Sequence, residues 1–232
     1  MTNEDNIYNS GEYLEKNPTW HLEDSAWKAG QILKMLARNR LAPKSICEVG
    51  CGAGEILRQL QLRLGPEAEF CGYEISRQAF DLCKTRENPG LHFKLQDITG
   101  EKEAFFDLIL LIDLIEHLED YFDFLRKVKP KSNYKILHIP LDLNVKALLR
   151  VTPLLEARQS VGHIHLFNKE WALAVLRDTG YDRIDWFYTR VDTPPVSLRG
   201  RLTRPLRDLF YRMQPDLAVR VLDGYSLMVL VK

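Results

Sequence analysis

The chain has 232 residues, enough for one well-buried domain with a modest cap. Lysine plus arginine and aspartate plus glutamate both total 32, so nothing global draws it to nucleic acid or an anionic membrane. The 45% hydrophobic content is ordinary for a globular protein, no apolar run nears membrane-spanning length, and the polar start Met1–Asn6 is no signal peptide. Cys47, Cys51, Cys71 and Cys83 follow neither a zinc pattern nor a secreted disulfide framework, so they read as reduced packing residues of a cytoplasmic protein.

Residues 7–21 form an irregular opening that carries Tyr8, Tyr13, Trp20 and His21. A helix is predicted from about Asp24, with Ala29, Ile32, Leu33 and Leu36 on one face. Residues 1–43 thus read as a flap and a helix ahead of the first strand, the aromatics either closing over a site or packing outside the sheet. Ser45–Glu55 then passes from a short apolar strand with Ile46 and Val49 through Gly50, Gly52 and Gly54 into a helix with Ile56, Leu57, Leu60 and Leu64, stopped at Gly65-Pro66. Glycines there permit positive φ and close approach of a ligand, and the helix start offers unpaired N–H groups.

A dinucleotide turn would need a third glycine at position 55, where Glu55 would repel a pyrophosphate. The pattern Glu48-x-Gly50-x-Gly52-x-Gly54 instead resembles the first motif of the class I S-adenosylmethionine-dependent methyltransferases. That cofactor carries an ammonium and a sulfonium, which acidic surroundings suit. The resemblance implies that Glu48 and the three glycines surround its methionine part.

Glu69–Ile75 is predicted as the second strand, with Ser76 capping a helix through Ala79, Phe80 and Cys83. Glu74, with Ile75 beside it, stands at the strand end that faces a ribose in doubly wound sheets. The third strand, Leu91–Leu95, runs into Asp97-Ile98, which resembles the family's adenine-binding step; Asp97 equally suits a turn cap. The unbroken apolar run from Phe106 to Ile112 reads as a central parallel strand buried on both faces. It leads through Asp113 to Glu116-His117, then a helix with Leu118, Tyr121, Phe122, Leu125 and Val128 on one face. This resembles the fourth-strand segment of small-molecule methyltransferases, including those of ubiquinone biosynthesis. The resemblance implies Asp113 near the methionine end and His117, in the helix's first turn, near the mouth of the site, where it would orient a loop or touch substrate and is a candidate for acceptor chemistry.

A fifth strand is predicted over Tyr134–Pro140, then a helix capped by Asn168 and closed by Gly180, a sixth strand over about Asp182–Arg190 and a last one over Tyr225–Val231. Alternating units ending in two strands without a regular helix between them fit an α/β, doubly wound, mostly parallel seven-stranded sheet with an antiparallel last strand. Two connections exceed what such a sheet needs. Residues 141–167 read as a lid or substrate insertion, with His163 and His165 as candidates for acceptor chemistry or as alternate positions of a short strand. For a metal, those two histidines have no third ligand at a helpful spacing. Residues 193–224 are Arg-rich, and Leu202, Leu206, Leu209, Phe210 and Met213 make a helical apolar stripe that reads as sheet-edge packing, a homodimer contact or a patch for an anionic acceptor.

Together these readings imply an S-adenosylmethionine-dependent methyltransferase acting on a small-molecule acceptor. Strand four lacks the Asn/Asp-Pro-Pro-aromatic signature of nucleic-acid N-methyltransferases, which argues against a nucleic-acid substrate. An NAD(P)-dependent oxidoreductase and a non-catalytic assembly subunit are the alternatives.

Overall fold

The computed structural model describes residues 22–190 and 198–232, with side chains from Thr203 onward in the second segment. The aromatics expected to form a flap, Tyr8 to His21, lie outside the described residues, as do the side chains of Leu198 and Leu202. Helix α1 (Leu22–Asn39) buries Ala29, Ile32, Met35 and Leu36 at helical spacing. Strand β1 (Ser45–Val49) leads into α2 (Glu55–Leu64), β2 (Glu69–Glu74) into α3 (Arg77–Cys83), and β3 (Leu91–Leu95) follows. Then come β4 (Phe106–Ile112), α4 (Tyr121–Val128), β5 (Ser132–Pro140), α5 (Val145–Arg150), α6 (Thr152–Ser160) and α7 (Lys169–Asp178). Strand β6 (Arg183–Thr189), helices α8 (Leu198–Met213) and α9 (Pro215–Val221), and β7 (Ser226–Val231) complete the order.

The seven strands form one sheet in the order β3-β2-β1-β4-β5-β7-β6. The first five run parallel, and β7 lies antiparallel to both β5 and β6. Chain order reverses between β1 and β4, so their carboxyl ends open a crevice at the topological switch point. Apolar residues cover both faces: Leu57, Leu60 and Ile32 pack with α1 and α2 on one side, and Leu125, Val175 and Leu176 with α4 and α7 on the other. Ile109, Leu110 and Leu111 of β4 are buried on both faces, which accounts for that unbroken apolar run.

Three expectations change. His117 is not in the first turn of a helix: it closes a separate 3-10 turn, Ile115–His117, before Asp120 caps α4. His163 and His165 sit in irregular chain rather than a strand, because Glu116 O accepts from the amides of Ile164 and His165 and draws the segment across β4. The last two strands are separated by two helices, and Leu206, Leu209 and Met213 of α8 stand exposed instead of packing on the sheet edge. Pro205 lies within α8, where it removes one amide from the helical ladder.

Candidate active site

The crevice holds a cavity of about 610 Å³, within the range of small-ligand sites. Part of its wall is built by the turn after β1. Gly50, Gly52 and Gly54 all adopt positive φ, at 68°, 53° and 76°. Two of them leave no room for a side chain: a Cβ on Gly50 would lie 2.8 Å from Leu114 Cδ1, and one on Gly54 2.5 Å from Phe93 Cζ. The turn is anchored where the amides of Gly50 and Cys51 donate to Tyr73 O.

Glu74 ends β2 with its carboxylate wrapped by main chain. Oε2 accepts from Gly52 N (2.8 Å), and Oε1 accepts from Ile75 N and Ser76 N (2.8 Å each). Oε1 is thus filled, while Oε2 keeps a lone pair toward the cavity that Glu74, Ile75 and Gly52 all line. Burial pushes the Glu74 carboxyl up, although the three amides oppose it. Glu48 is more extreme. It is buried at the end of β1, its Oε2 has no hydrogen-bond partner, and desolvation raises its carboxyl well above the usual range against the pull of Lys28.

Asp113 follows β4 with φ 49°, in the left-handed region. Its carboxylate is clasped from two sides, by Lys28 Nζ of α1 at 2.8 Å and His138 Nδ1 of β5 at 2.5 Å. Burial alone would raise this acid, but the two basic neighbours outweigh it and hold it below the ordinary carboxylate range. The other ring nitrogen, His138 Nε2, lies 2.8 Å from Thr189 Oγ1 of β6. Sequence reasoning missed Lys28 and His138; the local signals are a lysine one and two turns ahead of the buried Ile32 and Met35 on the same side of the helix, and a histidine inside an apolar strand.

A second group of polar side chains lies at the same cavity, with His117, His163 and Asp142 in its lining. His117 Nδ1 lies 3.0 Å from Gly162 O, and His163 Nδ1 lies 2.6 Å from Asp142 Oδ2. A carbonyl and a carboxylate can only accept, so both rings donate from Nδ1 and present Nε2 as the basic nitrogen. The rings meet edge to face at 5.0 Å. Glu116 is buried with both carboxylate oxygens unpartnered, and desolvation with the nearby Asp113 and Asp142 charges raises it well above the usual range. Ligand atoms of Glu116, His117 and His163 all lie within 4.8 Å of one another. The fold supplies the third ligand that residue spacing did not reveal: two imidazoles and a carboxylate, a donor set that suits a divalent transition metal.

Of the residues expected at the site, Glu48, Gly50, Gly52, Glu74, Ile75, Asp113, His117 and His163 line the cavity. Gly54 supports the turn from beneath. Asp97 caps the short turn after β3, accepting from Thr99 N (2.8 Å), and Ile98 is fully buried beside it; neither lines the cavity. His165 packs edge-on against Tyr121, its Nε2 buried without a partner, and does not line the cavity either. Glu55, where a dinucleotide turn would need glycine, is held by Arg58 and Arg86 at 2.9 Å each.

Residues 47–131 match the family model described as a methyltransferase domain. Over 188 residues the chain is 30% identical to the mitochondrial ubiquinone biosynthesis O-methyltransferase of Schizosaccharomyces pombe, covering 70% of this chain and 67% of that one. It is 34% identical over 89 residues to pavine N-methyltransferase of Thalictrum flavum subsp. glaucum, covering 37% of this chain and 25% of the other. The solved structure of magnesium protoporphyrin IX methyltransferase from Synechocystis PCC 6803, with bound S-adenosylhomocysteine, superposes with a TM-score of 0.60 at 15% identity, over 89% of this chain and 82% of that one. That likeness is one of fold. With the relative's coverage, the matched motif region and the glycine turn in place, the chain belongs to the class I S-adenosylmethionine-dependent methyltransferases, in their small-molecule branch.

Proposed function

We propose that the two groups of residues at the cavity divide the reaction, cofactor at the glycine turn and acceptor at the histidine pair. The orphaned Glu48 carboxylate fits a cationic ligand, since a positive charge would restore its ionised form. Lys28, fixed by Asp113, offers an ammonium on the cavity wall for the carboxylate of the methionine end. Glu74 keeps one acceptor position for a ribose hydroxyl, and Ile75, exposed on the same wall, gives an apolar surface to the base. The adenine role of Asp97 and Ile98 rests on the family resemblance alone. Bound there, S-adenosylmethionine supplies an electrophilic methyl group and a neutral thioether leaving group.

The acceptor we favour is a hydroxyl, as in the O-methyltransferase relative. A hydroxyl must lose a proton during attack, and His163 is arranged to take it. Asp142 fixes its tautomer and stabilises the imidazolium that forms, with Nε2 as the accepting atom. The observation that carries this reading is the His163–Asp142 pair placed beside His117 in the cavity lining. The decisive experiment offers phenols and amines to the protein with radiolabelled S-adenosylmethionine. Transfer to a phenol is expected, with His163→Ala lowering kcat about 10²-fold and leaving S-adenosylhomocysteine affinity unchanged. An unaltered kcat in that variant would refute the base assignment.

A second reading has its own observation, the unpartnered Glu116 carboxylate with ligand atoms of His117 and His163 within 4.8 Å. A divalent cation held by Glu116, His117 and His163 would bind the acceptor oxygen and lower its pKa, so the histidine would act as ligand and not base. Loss of turnover in chelator, restored by zinc or manganese, separates the two. Residence in a reducing, cytoplasmic setting is supported by the four free thiols.

A further inference from the structure

Sixteen large apolar side chains stand well exposed among the described residues, and nine of them fall on α5, α6, α8 and α9 with the bend between the first two. The clearest are Leu148 and Leu149 on α5, Leu155 on α6, and Leu206, Leu209 and Met213 on α8; Leu149 is 82% exposed, Leu206 and Met213 69% each. Leu206, Leu209 and Met213 follow at three and four residues, so they share one stripe of α8. Concentrated exposure of this kind marks a surface that meets something apolar.

The same helices are basic. Residues 145–160 carry Lys146, Arg150 and Arg158 against Glu156, and residues 198–213 carry five arginines against one aspartate. The balanced total charge of the chain hides this local excess. The two pairs of helices meet at Asp223, which accepts from Lys146 Nζ (2.6 Å) and, through its carbonyl, from Arg207 Nη2 (2.9 Å). Gly224, Tyr225 and Ser226, next in the chain, line the cavity, and so do Val161 and His163 just beyond α6. The basic, leucine-rich surface is therefore at the rim of the mouth.

We propose that this rim docks on the surface of an anionic lipid bilayer. Leucines flanked by arginines match the two layers they would meet, acyl chains below and anionic headgroups above. No described helix is long and apolar enough to cross a membrane, so the contact is interfacial. A second copy of the chain fits worse, because a two-fold axis would oppose one arginine-rich helix to its twin. In one respect the proposal rests on the methyltransferase reading above: with the mouth at the interface, an amphiphilic acceptor enters the site without leaving the lipid.

The test uses the full chain with sedimented vesicles of phosphatidylcholine, with and without phosphatidylglycerol. The doubly substituted Leu149→Glu, Leu206→Glu protein changes two exposed side chains and serves as the comparison, with S-adenosylhomocysteine affinity measured in parallel. Expected is retention on the anionic vesicles, weaker by tenfold or more on neutral ones or in high salt, and lost in the double variant at unchanged cofactor affinity. Failure of the full chain to bind the anionic vesicles would overturn the proposal, as would equal binding by the variant. A dimer that the double substitution dissolves, without vesicle binding, would assign the surface to a second copy instead. Absent S-adenosylhomocysteine binding with vesicle retention intact would count against the cofactor site and leave the docking surface standing.

Discussion

The two groups of residues gathered at the cavity are made from different material. The group proposed to hold the cofactor is mostly main chain: three glycines with positive φ, and a carboxylate that accepts from three amides. The group proposed to meet the acceptor is side chains on irregular segments, with Glu116 and His117 on a 3-10 turn and His163 and Asp142 on the long connection after β5. Backbone geometry changes little when neighbours change, whereas side chains on connections can be exchanged without disturbing the sheet. On the proposed reading, the first group fixes a shared reagent, and the second is where a new acceptor can be accommodated.

The comparison breaks most visibly at Gly54. Alanine there would have to keep φ near 76° and place Cβ 2.5 Å from Phe93. A loss of about 3 kcal/mol or more is expected, from the left-handed conformation and the overpacking together. Urea denaturation measures it, and a loss under 1 kcal/mol would show that the turn can be rebuilt around a side chain. Glu74→Gln should cost less and act mainly on binding. Its amide group would face either Gly52 N–H or the Ile75 and Ser76 N–H groups, donor against donor, and S-adenosylhomocysteine affinity should fall by about 1–3 kcal/mol. Calorimetry with no change would mean that the ribose does not meet this carboxylate.

The smallest effect concerns protons at Glu48. Its carboxyl is raised in the free protein, so the native state holds a proton that the unfolded chain would release. Stability from this group is full below the ordinary carboxylate range and declines as pH rises through the elevated folded value. A cationic cofactor favours the ionised form, so binding should expel a proton and tighten with rising pH across that window. Titrations of S-adenosylmethionine in buffers of different ionisation enthalpy report the proton directly. Glu48→Gln should abolish the release, and the same release in the variant would point to another group.

The same division explains what could be read from sequence. The order of strands, the glycine turn and the acids Glu48 and Glu74 are local patterns, each set by spacing within one strand–turn–helix unit. All seven strands were legible because their apolar runs and caps are local too, down to Ser76 and Asn168 accepting from the amides three residues on. Glu116 was visible as half of a Glu-His pair, but its place beside His163 depends on amides forty-eight and forty-nine residues away that hold the connection across β4. The clasp on Asp113 joins α1, β4 and β5, and no window of sequence contains all three. The helices between β6 and β7 misled for another reason. An apolar stripe announces a face to be covered and does not say by what, and here the stripe stays exposed.

Phe93 ties one more feature to the history of such a chain. A Cβ on Gly72 of β2 would also fall 2.5 Å from this ring, as one on Gly54 would. A single phenyl group from the outermost parallel strand thus fills the volume that two glycines vacate on separate elements. The ring is not their only neighbour: a Cβ on Gly54 would also lie 2.9 Å from Cys83 Cβ, and one on Gly72 2.7 Å from Cys51 Sγ. Bulk gained on β2 has to be matched by bulk lost at 93 and at 51 together, so relatives that carry alanine in place of Gly72 should be found with smaller residues at both positions, the exchange travelling as a set.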